Sequence, residues 1–274
     1  MIELPEAFVI SKQLSKEFVG KMILNVVAEQ NPHKFAWYSG DPATYNNLLI
    51  DKRIVGSNSF GGQIELCAEN MTLVFSDGVN PQYHVDRDSL PKKHQLLLEF
   101  DDHTFFCATI SMYGGLMCTP TGKNDNQYYL VAKEKPSPLS VSFDQEYFFN
   151  LFTSNDDKLS LKAFLATNQR IPGLGNGVLQ DILFNAGLHP KKKVTALGEE
   201  EKEHLFFAIK NTLFSMTEQG GRDTEKDIYG NPGGYQTVLS KNTLGKPCNR
   251  CGSTLVKEAY LGGSIYYCSG CQQL

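Results

Sequence analysis

The chain has 274 residues, 41% of them hydrophobic and 20% charged, with a formal net charge of −4. That balance suits an ordinary soluble core and excludes a disordered chain or a histone-like one that seeks polyanions through its overall charge. No stretch reaches the roughly 18 consecutive apolar residues of a membrane span, and Met1–Leu14 lacks the basic segment of a secretion signal. A reducing cytoplasm is therefore expected (the nucleoid, if the source is bacterial). There the seven cysteines read as metal ligands and core residues rather than disulfides.

A helix opens the chain. Pro5 suits its first turn, Glu6 suits the positive end of its dipole, and Ala7, Ile10, Leu14 and Phe18 fall on one face before Gly20. Strand-like runs follow at 63–67, 71–75, 95–100 and 104–110. Turns are expected between them at Ser76-Asp77-Gly78, at Asp101-Asp102 and after the last run at Tyr113-Gly114-Gly115. The proline-containing segment 133–139 marks a boundary, beyond which the pattern becomes helical. Helices are expected over 156–166, 177–186 and 199–218, the last stopped by Gly220-Gly221. These features divide the chain into residues 1–135, 136–240 and 241–274.

The last unit carries Cys248-x2-Cys251 and Cys268-x2-Cys271, the spacing of a four-cysteine zinc hairpin. With all four positions filled by protein, one structural Zn2+ is expected and no open site for chemistry. Cys67, Cys107 and Cys118 lie in apolar strand contexts and read as core. The finger segment has a net charge of +3, from Lys241, Lys246, Arg250 and Lys257 against Glu258. A basic hairpin suits phosphate contacts; a solvated face explains the same charge.

Three segments together carry a resemblance: the terminal finger, the N-terminal Ile2-Glu3-Leu4-Pro5-Glu6, and residues 168–190 with Gly173-Leu174-Gly175-Asn176. In this order they resemble the formamidopyrimidine-DNA glycosylase and endonuclease VIII family of base-excision repair. The resemblance implies an α+β fold: an N-terminal β-sandwich with flanking helices, then a helical domain with a helix–two-turn–helix and the zinc hairpin. It also implies a monomer that binds damaged double-stranded DNA between the domains and flips out a nucleotide.

The same resemblance implies site residues. Gly173, Gly175 and Asn176 would meet a DNA phosphate, the glycines by close backbone approach and the following helix through free N–H groups. On the residues alone, Asn176 reads equally as a helix cap. The segment from Gly220 to Tyr235 resembles the loop beside the extruded base, and its bland reading is a passive surface loop. Glu3 would act as acid and base at the sugar, with Glu6 in support. The family's nucleophile is the amine of an N-terminal proline, but here Ile2 occupies that position. Ile2 is too large to favour removal of Met1, so the Met1 amine becomes the candidate nucleophile.

Other departures point the same way. Ser59-Phe60-Gly61-Gly62 has no lysine where the family carries a basic residue, Ser111-Met112-Tyr113 replaces its basic void-filling loop, and Gly263 stands where its finger arginine would fall. Three readings follow: a glycosylase with doubtful lyase activity, a non-catalytic binder of damaged or bent DNA, and a protein-interaction scaffold.

Overall fold

The computed structural model describes residues 1–274. Helix α1 (Leu4–Phe18) starts where expected, with Pro5 in its first turn and the Glu6 carboxylate accepting the Glu3 N–H at 3.3 Å. Its stripe of Ala7, Ile10, Leu14 and Phe18 is fully buried. Each of the larger members contributes about 1.5–3 kcal/mol of apolar burial.

The β-rich unit contains β1 (Ile23–Ala28), β2 (Ala36–Tyr38), the short helix α2 (Tyr45–Leu49), β3 (Ile54–Phe60), β4 (Gln63–Ala68), β5 (Met71–His84), β6 (Leu96–Phe100) and β7 (Phe105–Pro120). All seven strands join one sheet in the order β1-β6-β7-β5-β4-β3, with β2 pairing parallel to β7. Strands β5 and β7 are long enough to run through two halves. Residues 79–84 and 105–110 pair beside β6, and residues 71–77 and 114–120 pair beside β4 and β2. Alternate residues of nearly every strand turn to one side, where they meet α1 in a single core.

Two of the expected turns lie inside these strands. The pairing of β5 with β7 slips at Gly78, between Asp77 and Val79. A Cβ on Gly78 would lie 2.4 Å from the Tyr113 carbonyl oxygen, and one on Gly114 would lie 2.7 Å from Val79 Cγ2. The glycines mark a close strand-to-strand approach at a bulge rather than chain reversal. The third expected turn is a true one, at Asp101-Asp102.

Helix α3 (Gln127–Glu134) leads out of the sheet. The helical unit then builds from α4 (Gln145–Asn150), α5 (Leu161–Ala166), α6 (Asn176–Ala186) and α7 (Glu199–Glu218) around a second core, into which Leu4 of α1 also inserts. The helix expected over 156–166 is broken in two. Asp156 closes a short turn over Thr153 and pairs with Arg170, and Ser160 caps a new start by accepting the Ala163 N–H. The chain ends in the hairpin of β8 (Leu255–Tyr260) and β9 (Gly263–Cys268), turned at Leu261-Gly262. No helix is long and apolar enough to cross a membrane.

Asp181 of α6 ties the helical core to the segment leading into the hairpin. Its buried carboxylate accepts the N–H groups of Val238 and Leu239 at 2.9 and 2.8 Å. Burial pushes its carboxyl up to about 6. An unfolded aspartate titrates near 3.9, so between about pH 4 and pH 6 the folded state holds more protons than the unfolded one. This group's contribution to stability is therefore greatest below pH 4 and falls as pH rises to 6. Asp181→Asn lacks that titration, so urea melts should find it gaining about 3 kcal/mol on the unmutated protein between pH 4 and pH 7.

Candidate active site and nucleic-acid interface

The two glutamates of the N-terminal motif meet one arginine. Arg222 grips Glu6 at two points, Nε to Oε1 at 2.9 Å and Nη2 to Oε2 at 2.7 Å, and its Nη1 lies 3.3 Å from Glu3 Oε2. All three side chains are buried. Burial raises the Glu3 carboxyl above the ordinary glutamate range, against the pull of Arg222 and of two backbone amides. Burial acts the same way on Glu6, but the two-point pairing with Arg222 outweighs it and holds that carboxyl low. One guanidinium shared unequally thus separates two neighbouring carboxylates.

The amides that bind Glu3 are those of Gly177 and Val178, at 2.8 and 2.7 Å. They are the free N–H groups at the start of α6 that sequence reasoning offered to a phosphate. An internal carboxylate takes that role, because it is already held at the positive end of the helix. The glycines make room for it. A Cβ on Gly175 would sit 2.5 Å from Glu3 Oε1, and one on Gly177 would sit 1.7 Å from Arg222 Nη1. Gly173, at φ +78°, packs its backbone against Gly61 and Gly62, and its carbonyl accepts the Leu4 N–H at 2.9 Å. Asn176 is not a cap. Its Nδ2 donates to the Ser264 carbonyl at 2.9 Å, joining α6 to the hairpin, and its Oδ1 is buried without a partner.

The Met1 amine lies on the other side of this cluster. It is exposed, forms an ion pair with Glu225, and stands at a cavity of about 320 Å³ that Ile2, Glu6, Asn80, Met112 and Lys226 also line. Ile2 itself is buried, and its N–H donates to the Asp77 carbonyl at 2.8 Å. An amine and a carboxylate therefore face one concave space, with Glu6 at its wall and Glu3 sealed behind. Tyr235 does not reach that space. It is buried in the helical core.

The four finger cysteines converge. All their Sγ atoms lie within 4.8 Å of one another, with Cys251–Cys268 at 3.4 Å and Cys248–Cys271 at 3.8 Å. Four thiolates about 2.3 Å from one zinc ion lie about 3.8 Å apart in a tetrahedron, so the set fits a metal ion of that kind. Of the other cysteines, Cys107 and Cys118 are buried as expected and Cys67 is half-buried. Arg250 is not a free phosphate ligand. It donates to the Phe184 carbonyl at 2.9 Å and to Asn185, and it stacks on the Phe184 ring, docking the finger on α6.

Three contributors were not singled out from the sequence: Arg222, Glu225 and Lys162. Nothing local to Arg222 or Glu225 reveals their partners, which lie more than 200 residues away. Lys162 Nζ would sit 3.4 Å from a Cβ at Gly263. This lysine of α5 is buried and donates to the Tyr260 carbonyl, so it braces the hairpin at the place where the finger has no arginine.

A family model described as the formamidopyrimidine-DNA glycosylase H2TH domain matches residues 135–227. The chain is 31% identical over 288 residues to a formamidopyrimidine-DNA glycosylase of Histophilus somni, covering 100% of both. Its fold is similar to that of the Lactococcus lactis Fpg in complex with abasic-site DNA, with a TM-score of 0.84 and 24% identity over 99% of this chain and 100% of the other. It is also similar to MutM (Fpg) from Thermus thermophilus, with a TM-score of 0.80 and 25% identity over 98% of each chain. Fold and relatives define a DNA-repair protein of the helix–two-turn–helix glycosylase class. The chain belongs to the formamidopyrimidine-DNA glycosylase family.

Arg222→Ala would leave two buried carboxylates facing each other without a cation. Such a loss costs about 3–5 kcal/mol. Chemical denaturation should find that drop, and adding Glu6→Gln to the alanine variant should recover part of it.

Proposed function

We propose that this protein binds damaged duplex DNA between its β-rich and helical units and excises a base there, using the Met1 amine in place of the family's proline. The observation that carries this reading is the Met1–Glu225 pair at the rim of the cavity. A nucleophile beside a carboxylate is the arrangement that covalent catalysis needs. Glu225 takes a proton from the Met1 ammonium, and the freed nitrogen attacks the sugar C1′. The C1′–N bond to the base breaks, its electron pair leaves with the base, and the proton on Glu225 is returned to that base. Glu6 faces the reacting sugar as supporting carboxylate. Glu3, one of the two motif glutamates, acts by holding α6 and sharing Arg222 with Glu6.

The phosphate-facing surface comprises Asn176 together with the Gly173–Gly175 turn and the exposed lysines of the finger. Tyr235 supports it from within the helical core. The division into residues 1–135, 136–240 and 241–274 assigns the sheet, the helix–two-turn–helix and the finger their separate roles. One zinc ion held by Cys248, Cys251, Cys268 and Cys271 would keep the finger folded. The protein would work as a monomer on the chromosome in the cytoplasm.

A second reading, non-catalytic binding of damaged DNA, is favoured by one observation. Both motif glutamates are already engaged, Glu3 with two amides and both with Arg222. Duplexes carrying an abasic site or an oxidised base, incubated with the protein and borohydride, separate the two. The first reading expects a covalent adduct on the Met1 peptide and a rate about a hundredfold lower in Glu225→Gln. Salt-sensitive binding without adduct or product gives the second reading, and no binding at low salt sinks both.

Metal removal is a separate check. The intact protein should hold one zinc ion per chain by elemental analysis. A chelator under reducing conditions should abolish DNA binding while the sheet, followed by circular dichroism, persists.

A further inference from the structure

A second cavity, of about 610 Å³, lies beside the first across the bulged strand pair. Gly78 and Met112 line the first cavity, while their neighbours Asp77 and Tyr113 line the second. Its walls are unusually aromatic for an open surface. Phe35, Trp37, Tyr113 and Tyr128 all border it and all are exposed, Trp37 at 54%. Gly114 and Gly115 leave bare backbone between them, and a Cβ on Gly115 would come within 3.7 Å of the Trp37 ring.

One polar group in this wall has no use within the fold. Gln63 is 7% exposed, and its Oε1 is buried with no hydrogen-bond partner. A buried amide oxygen left unpaired is destabilising, so a partner from outside would offset that cost. Asp77 stands on the same cavity, its Oδ2 accepting from Ser76 Oγ at 3.1 Å. Burial raises its carboxyl.

We propose that this cavity binds a nucleobase, stacked on Trp37 and its aromatic neighbours and read at its edge by Gln63 and Asp77. The volume lies within the range of small-molecule sites, and flat rings with a few convergent polar groups are what a heteroaromatic base requires. Base-on-aromatic stacking tolerates any base, because every base has a π-face. The same chemistry serves an unpaired base of a nucleic acid or a free nucleoside. The inference stands on these residues alone and does not require the excision chemistry proposed above.

Trp37 is the only tryptophan, so its emission reports the cavity directly. The protein would be titrated with a single-stranded oligonucleotide, with an otherwise equal strand lacking all bases, and with free adenosine and guanosine. Quenching by the base-bearing ligands and not by the baseless strand is expected, with the apparent Kd about tenfold weaker in Gln63→Leu. Trp37→Leu alters an exposed side chain, and 2-aminopurine emission should find a similar loss in it, so a folding defect at Gln63 cannot decide the matter. Quenching by nucleosides alone supports the pocket and assigns it to free nucleosides, even if DNA binding, and with it the excision reading, fails. Equal quenching by the baseless strand, unchanged affinity in both variants, or DNA binding by anisotropy with no response from Trp37 overturns the pocket and leaves the excision reading intact.

Discussion

The structure depends on where the Glu3 carboxylate sits. It closes the positive end of α6 through the Gly177 and Val178 amides and leans on the guanidinium that grips Glu6. Three remote segments therefore meet at one buried charge cluster: the N-terminus, the helix–two-turn–helix and the glycine loop after α7. Removing charge from water is costly, so such a cluster persists only when each partner is satisfied by the others. That mutual requirement fixes how the first strand-rich unit docks on the helices. From α6 the constraint passes outward, because Asn176 and Gln180 hold Ser264 and Tyr266 of the hairpin.

The same arrangement divides the labour among acidic groups. Glu3 and Glu6 share a sequence motif yet have opposite electrostatic fates, one carboxyl raised and the other lowered. The difference comes from geometry: two strong contacts to Arg222 for Glu6, one longer contact for Glu3. The acid that faces open space beside the Met1 amine is instead Glu225, from a different part of the chain.

Charge tells a parallel story. The net charge of −4 hides a finger of +3. Yet several basic residues that could meet a polyanion are used inside the protein. Arg170 pairs with Asp156, Arg222 with both glutamates, and Arg250 docks the finger. Lys162 is spent in the same way, buried with its Nζ donating to the Tyr260 carbonyl, so what remains near the hairpin for a phosphate backbone is the exposed Lys241, Lys246 and Lys257 of the finger.

Much of the fold was legible in order and type. The stripe of α1, the span of α7 and the four-cysteine hairpin follow from local periodicity and ligand spacing, because those features depend on near neighbours. The strands were visible but not their length. Glycines at 78, 114 and 115 resemble turns in sequence, and only the approach of β5 to β7 reveals them as a bulge in continuous strands. Asp156 likewise reads as helix until its pairing with Arg170 breaks the element. At the site, the sequence supplied the glutamates, the substitution at Ile2 and the glycine turn. Their actual partners, Arg222 and Glu225, come from more than 200 residues away. The sequence by itself determined which chemical groups this protein possesses and the family to which its motifs point. Tertiary structure alone decided which of those groups are consumed in holding the fold and which face open space, because burial and pairing are properties of contacts made across the whole chain.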